Sequence, residues 1–247
     1  MIRLIIVGLL ATGASIMLYL GLSPKKEPEA KKIFTSNEMV WFGLDFTKTH
    51  FVGSFDHGFG ANSANGYDLR TKWIPAWNNL IVKEQYNFDL RRCFRKRYVY
   101  YDIASVDRLN DKLDPEQLLN YNETKIGKEL IPEMVKKYTS SEKQNGLGLV
   151  FIIENFNKNT KKAGLYVTFF DIETRKVLLC EYMSGNPVGF GLRNYWAGAV
   201  KDILNWVDFY EYRKWKNRYY DNPWEEEDDK VSILQNSNGT ANSLVAR

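Results

Sequence analysis

The sequence is poor in side chains that ligate metals or act as nucleophiles, with 2 cysteines and 2 histidines among 247 residues. Neither Cys93 nor Cys180 belongs to a CxxC pair, and no Cys/His spacing suits zinc, so no metal and no cofactor is expected. Cys180 lies in an apolar run and reads as a small buried hydrophobe. A Cys93–Cys180 disulfide is compatible with an oxidising compartment, but sequence alone cannot argue for it. An excess of one sign of charge is also lacking. The 34 Lys and Arg against 30 Asp and Glu leave a net +4, which does not call for nucleic acid. There are no internal repeats. What is plentiful is apolar surface, 44% hydrophobic and 15% aromatic. That is enough for a substantial core and too aromatic for a disordered chain. The length suits one domain plus extensions.

Long apolar runs without charge are missing with one exception. Residues 4–22 carry no charge and are about as long as a helix needs to cross bilayer hydrocarbon. Three readings compete. A cleaved signal could be cut at the small residues 11–15, but that would leave the apolar residues 16–20 on the mature chain, and a cut after Ser23 meets Pro24. An uncleaved anchor avoids both problems and is the preferred reading. A core helix is disfavoured because the run has no polar face. Lys25, Lys26, Lys31 and Lys32 after the span would favour a cytoplasmic side. The very short flank with Arg3 instead looks like a signal-anchor that exports the rest of the chain, and export is preferred. The expected organisation is an anchor or signal over 1–23, a solvated linker over 24–35, one α/β domain over 36–215, and a disordered acidic and polar tail over 216–247.

Residues 145–214 organise the domain. The run 147–156 is almost continuously apolar and predicts a strand covered on both faces. Residues 165–172 and 177–183 are rich in β-branched and aromatic side chains and predict two more strands. The Asp171–Lys176 segment between them has hairpin chemistry. A Gly/Pro loop over 184–191 leads to an amphipathic helix. Its stripe is Tyr195, Ala199, Ile203, Trp206 and Tyr210, widened by Trp196, Val200, Leu204 and Val207. Gly198 is its weak point, and a close approach of helix to sheet would explain it.

Upstream, residues 38–46 predict a first strand with a continuation through 50–52. Residues 53–67, dense in Gly, Asn and Ser, form a long loop, a common place for function. A helix is predicted over 71–85, with Pro75 in its first turn, and a strand from about Phe94 to Ile103. Asp114-Pro115-Glu116 opens a short helix. A further helix over 124–138 is bent or delayed by Pro132. The expected fold class is α/β (α+β): a two-layer mixed sheet of about five strands with helices packed on it, and a long C-terminal amphipathic helix after a β-hairpin.

Three places carry candidate chemistry. His50, Asp56 and His57 cluster near Asp45 and Asp68 and include both histidines, but their spacing matches no metal motif and reads as exposed loop residues. A His57–Cys93 nucleophile pair is the sharpest enzymatic alternative, with nothing to order the two in space. Residues 185–191 lie between a strand and a helix and could hold an anion with the help of Arg193. They lack a dinucleotide fingerprint and read as a tight turn. Arg91, Arg92, Arg95, Lys96 and Arg97, beside Phe94 and Tyr98, superficially suggest a nucleic-acid surface. In an exported protein the better partners are anionic head groups, acidic polysaccharide or the chain's own acidic tail, and a solvated basic edge strand is the plain reading.

Asp171, Thr174, Val177 and Leu178, in a hairpin followed by a loop and a closing helix, are similar to a D-x-x-T-x-x-V-L-like turn. On these residues the chain resembles, over about 125–212, the α/β domain of the TolB N-terminal region and CsgG-type secretion lipoproteins of Gram-negative envelopes. It resembles more closely exported, membrane-anchored bacterial envelope proteins. It departs by lacking a lipidated cysteine and by the 53–67 loop. The resemblance implies a scaffold or binding role and transfers no catalytic residue. The expected function is therefore an exported, membrane-tethered envelope protein that binds a protein or glycan partner without catalysis. The alternative is an envelope hydrolase using the His57/Asp56 loop or Cys93.

Overall fold

In the computed structural model, which describes residues 29–55, 63–123 and 125–221, seven strands form one sheet. They are β1 (Glu38–Asp45), β2 (His50–Val52), β3 (Tyr98–Tyr101), β4 (Leu119–Asn120), β5 (Leu147–Asn157), β6 (Lys162–Asp171) and β7 (Val177–Gly185). The first five run parallel to one another; β6 and β7 return antiparallel. β1 pairs with the first half of β5 and β2 with its last residues, up to Val52 opposite Asn157. β1 and β2 are therefore one interrupted row, and β3 and β4 flank it as another. Counted in rows, the sheet is about as wide as the sequence predicts. β5 is buried along its whole length, as an apolar run in a parallel sheet requires.

Alternation along the strands divides the core in two. Trp41, Leu149, Phe151, Leu165 and Val167 face one way, toward α1 (Lys31–Thr35), α2 (Ile74–Lys83), α3 (Leu90–Cys93) and the long closing helix α6 (Gly191–Trp206). Val40, Phe42, Val150, Ile152 and Phe170 face the other way, toward α4 (Ala104–Asn110) and α5 (Ile131–Val135). The larger face is the expected layer, and α4 and α5 add a thinner one behind it. Each large apolar side chain buried here contributes roughly 1.5–3 kcal/mol relative to staying exposed.

The break between β1 and β2 is held by buried polar groups. Gly43 has φ +107°, and the register slips between Trp41 and Leu44. Asn78 takes the backbone of Leu44 at both atoms, at 2.7 and 3.0 Å. Asn110 donates to the Leu44 carbonyl at 2.9 Å and accepts from the Phe46 amide at 2.9 Å. These side chains replace the ladder bonds lost at the kink, without which the buried backbone would be unsatisfied. Asp45, 1% exposed, accepts the Tyr138 hydroxyl and, at 2.7 Å, the Thr47 amide. Burial pushes its carboxyl above the usual range.

α6 (Gly191–Trp206) continues through a π turn at Val207–Glu211, a helix at Tyr212–Lys216 and a second π turn at Asn217–Asp221. The whole is a 31-residue helix. The predicted stripe holds for Trp196, Ala199, Val200, Ile203, Leu204 and Val207, all buried, and fails for Trp206 and Tyr210, 48% and 50% exposed. Trp206 lies at the edge of the stripe, and for Tyr210 the π turn is the reason. After Val207 the next buried residue is Tyr212, five positions on rather than three or four, because the widened turn rotates Tyr210 out of the stripe.

Gly198 also has a different reason from the predicted one. A Cβ there would collide with the Val188 carbonyl oxygen of the preceding loop, not with the sheet. The close helix–sheet contact is made at Gly185, whose Cβ would meet the Ala199 backbone.

Other boundaries moved. Lys31–Thr35, expected in a linker, is helical and buries Ile33. The helix predicted from 71 starts at Gly66, behind a capping box between Asn65 and Asp68. Pro75 then follows a π turn at Leu69–Trp73, since its missing N–H breaks the ladder. Only Ile131–Val135 is α-helical in the stretch predicted at 124–138. The strand predicted from Phe94 starts at Tyr98, because Asp89 caps α3 through the Arg92 amide and Arg95 ends it with φ 53°. The expected disordered tail from 216 instead begins with helix as far as Asp221. The predicted anchor and the rest of the tail lie outside the described residues. Among the described residues no helix is long and apolar enough to cross a membrane.

Candidate functional site

The carboxyl ends of β2 and β5, at Val52 and Asn157, lie side by side. In open sheets of parallel strands this is the end where ligands bind. Two hollows open here. The first, about 400 Å³, lies between Lys158 and Lys161 of the β5–β6 turn and Phe190, Leu192, Tyr195 and Trp196. The second, about 380 Å³, lies between Lys72, Trp73 and Ala76 and the segment Phe190–Asn194. Phe190 lines both and is 93% exposed. Val188 beside it is 73% exposed.

This exposed pair rides on a braced loop. Asp202 on α6 accepts from the Asn186 amide and side chain at 2.8 and 3.1 Å. Gly189 and Gly191, at φ +140° and +76°, allow the reversal that a side chain at either position would strain. Trp77 donates its indole N–H to the Arg193 carbonyl at 2.9 Å, fixing the first turn of α6 to α2. Below the loop, Trp196 stacks on Phe156 at 4.7 Å and on Phe55 at 5.6 Å. Among the described residues the buried Trp196 indole N–H has no acceptor.

The charges around the hollows are all positive. Lys158 donates to the Ser54 carbonyl at 2.9 Å and lies over the Phe55 ring. Lys72 lies over Trp73 at 4.5 Å. Arg193 donates to Asn194 at 3.0 Å. Among the described residues no carboxylate lines either hollow. A rigid apolar ridge with cations on both flanks suits an apolar group next to an acidic one. Among the described residues lining the hollows there is no carboxylate, histidine, cysteine or serine.

The predicted site residues are scattered. Arg193 is at the second hollow. His50 is half-buried on β2, and burial lowers its pKa. Asp56 and His57 lie outside the described residues, so their cluster with His50 is not described. Asp45 is sealed in the core and Asp68 belongs to a helix cap. Arg95 pairs with Asp208 on the closing helix, as does Arg92 at 3.0 Å. Arg97 stacks over Tyr98 at 5.4 Å. Lys96 is not on that basic surface at all. It is 6% exposed and donates to the carbonyls of Ile33 and Ser36. Cys93 and Cys180 are both free, on opposite faces of the sheet. Burial pushes the Cys93 thiol up to about 12. Among the described residues no cluster of three metal-ligating side chains occurs.

Phe190, Lys158 and Lys161 were not singled out by sequence. The one signal was an aromatic between two glycines, Gly189-Phe190-Gly191, in a segment predicted as a turn. No family model, curated protein or solved structure matches this chain.

Proposed function

We propose that this is a membrane-tethered envelope protein that binds a partner protein without catalysis. Residues 4–22 hold it at the membrane, with the folded body on the exported side. The observation that carries the reading is Phe190, an almost wholly exposed aromatic on a braced loop between two cation-lined hollows. With Val188 and the apolar walls of the two hollows it forms a patch rimmed by cations, the kind of exposed surface that marks a partner site. The charge of the flanks favours a partner that sets an acidic side chain beside an apolar one. The hydrolase alternative loses weight on Cys93, because a thiol buried and titrating near 12 is not a thiolate at neutral pH.

A photo-reactive residue at position 190 tests this in intact cells. The expected result is one discrete protein adduct, lost when Lys158 and Lys161 are changed to Glu. Tyr86, 96% exposed elsewhere, is the control position. Equal labelling at 86 and 190, no adduct, or a glycan adduct instead of a protein would overturn the proposed partner. A reporter fused after Arg247, active only on one side of the membrane, tests the exported orientation.

A further inference from the structure

We infer that the end of the molecule formed by α1 and the last turns of the closing helix lies against an anionic lipid surface. This rests on the reading of residues 4–22 as an anchor. The first support is where the chain leaves the folded body. α1 packs on the end of the closing helix, with Phe34 against Tyr212 at 5.5 Å and against Tyr220 at 6.1 Å. Lys31 and Lys216 both lie over the Tyr220 ring, at 5.7 and 5.4 Å.

The second support is reach. From Leu22 to Glu29 an extended chain spans at most roughly 25 Å. A bilayer holding residues 4–22 therefore keeps α1 and its neighbours close to the head groups. The groove at Phe190 is at the opposite end of a 31-residue helix, roughly 45 Å away at helical rise. It is presented away from the lipid, where a partner can reach it.

The third support is composition. The segment 212–220 reads Tyr-Arg-Lys-Trp-Lys-Asn-Arg-Tyr-Tyr, with cations and aromatics interleaved and no carboxylate. Arg213, Lys214 and Arg218 are exposed, and Tyr219 and Tyr220 half-buried. Amphipathic aromatics suit the head-group layer, and juxtamembrane cations suit anionic lipid. Among the described residues, carboxylates near this end are engaged: Glu211 with Lys214, Asp221 with Lys216, Glu181 with Arg218, Asp171 with Lys32 and Glu29 with Lys176. Exposed pairs of this kind are weak, so lipid phosphates can compete for their cations.

The test uses the full chain reconstituted in vesicles carrying head-group quenchers. A fluorophore is placed at Asn217→Cys or at Phe190→Cys; the native cysteines are largely shielded. Quenching at 217 should be at least threefold that at 190. It should grow as phosphatidylglycerol replaces phosphatidylcholine, and fall in high salt. Changing Arg213, Lys214 and Arg218 together to Glu should cut it while the chain still floats with the vesicles. Equal quenching at 217 and 190, or indifference to anionic lipid and to the charge reversal, overturns the inference while leaving the anchor standing. A chain that fails to float with vesicles sinks the anchor reading and this inference with it.

Discussion

Replacing Gly198 by Ala should destabilise the protein, against the ordinary trend in helices. In a helix interior this change normally stabilises by about 1 kcal/mol. Here the added Cβ would overlap the Val188 carbonyl oxygen and lie 2.8 Å from both its carbonyl carbon and its amide nitrogen. All three atoms are backbone, so no side chain can swing aside. Overpacking of this kind costs about 1–3 kcal/mol. Moving the loop also strains the two Asn186–Asp202 hydrogen bonds, each worth about 1 kcal/mol. Against the helix gain, the net loss is about 2–4 kcal/mol. Urea unfolding of the full chain in detergent, followed by tryptophan fluorescence, measures it. Lys201→Ala, on the exposed side of the same helix, is the control and should change stability by less than about 0.5 kcal/mol. A Gly198→Ala protein as stable as the parent would refute the claim that the loop is clamped on the helix. If the loop is displaced, cross-linking from position 190 should weaken as well.

Four further outcomes concern buried ionisable groups. Tyr138→Phe removes a donor from the sealed Asp45 carboxylate and should cost about 1–3 kcal/mol near neutral pH. The folded pKa of Asp45 is raised, so the native state holds the proton more tightly than the unfolded chain does. Stability from this group is present at low pH and lost as pH rises through the folded value. The difference in unfolding free energy between the parent and Asp45→Asn should show that fall, and a flat difference would contradict it. Lys96 behaves in the opposite sense on the alkaline side. Burial lowers its folded pKa to about 8 from an ordinary 10.5, so the native state releases the proton first. The parent should gain stability relative to Lys96→Met between those two values, and parallel curves would disprove the burial of its charge. Finally, Cys93 should resist alkylation at pH 8 until urea unfolds the chain, and rapid labelling of Cys93 in the native protein, read by mass spectrometry, would show the thiol to be accessible.

Local pattern carried much of the fold. The apolar run that became β5 needed only its own residues to announce a doubly covered strand. The two strands after it, the Asp171 turn and the start of a long helix were equally visible, since each depends on periodicity and turn chemistry within a few residues. Asp114 with Pro115 likewise marked its short helix. Boundaries were less legible where a distant partner decided them. Nothing near Lys31 says that Ile33 will be buried, and nothing near Leu44 says that Asn78 and Asn110 will complete its backbone.

The candidate site was the least legible part. Gly189-Phe190-Gly191 reads locally as a turn, and the exposure of Phe190 emerges only when the β5–β6 turn and α2 arrive on either side of it. The closing helix shows the same division. Sequence set its amphipathic character, because apolar side chains recur at three and four residues. Which of them are buried past Val207 was decided in three dimensions, where a π turn adds a residue to one revolution and turns Tyr210 to solvent while Tyr212 and Trp215 go inward. Periodicity is a property of a short segment, whereas the phase of a long helix is fixed by everything it packs against.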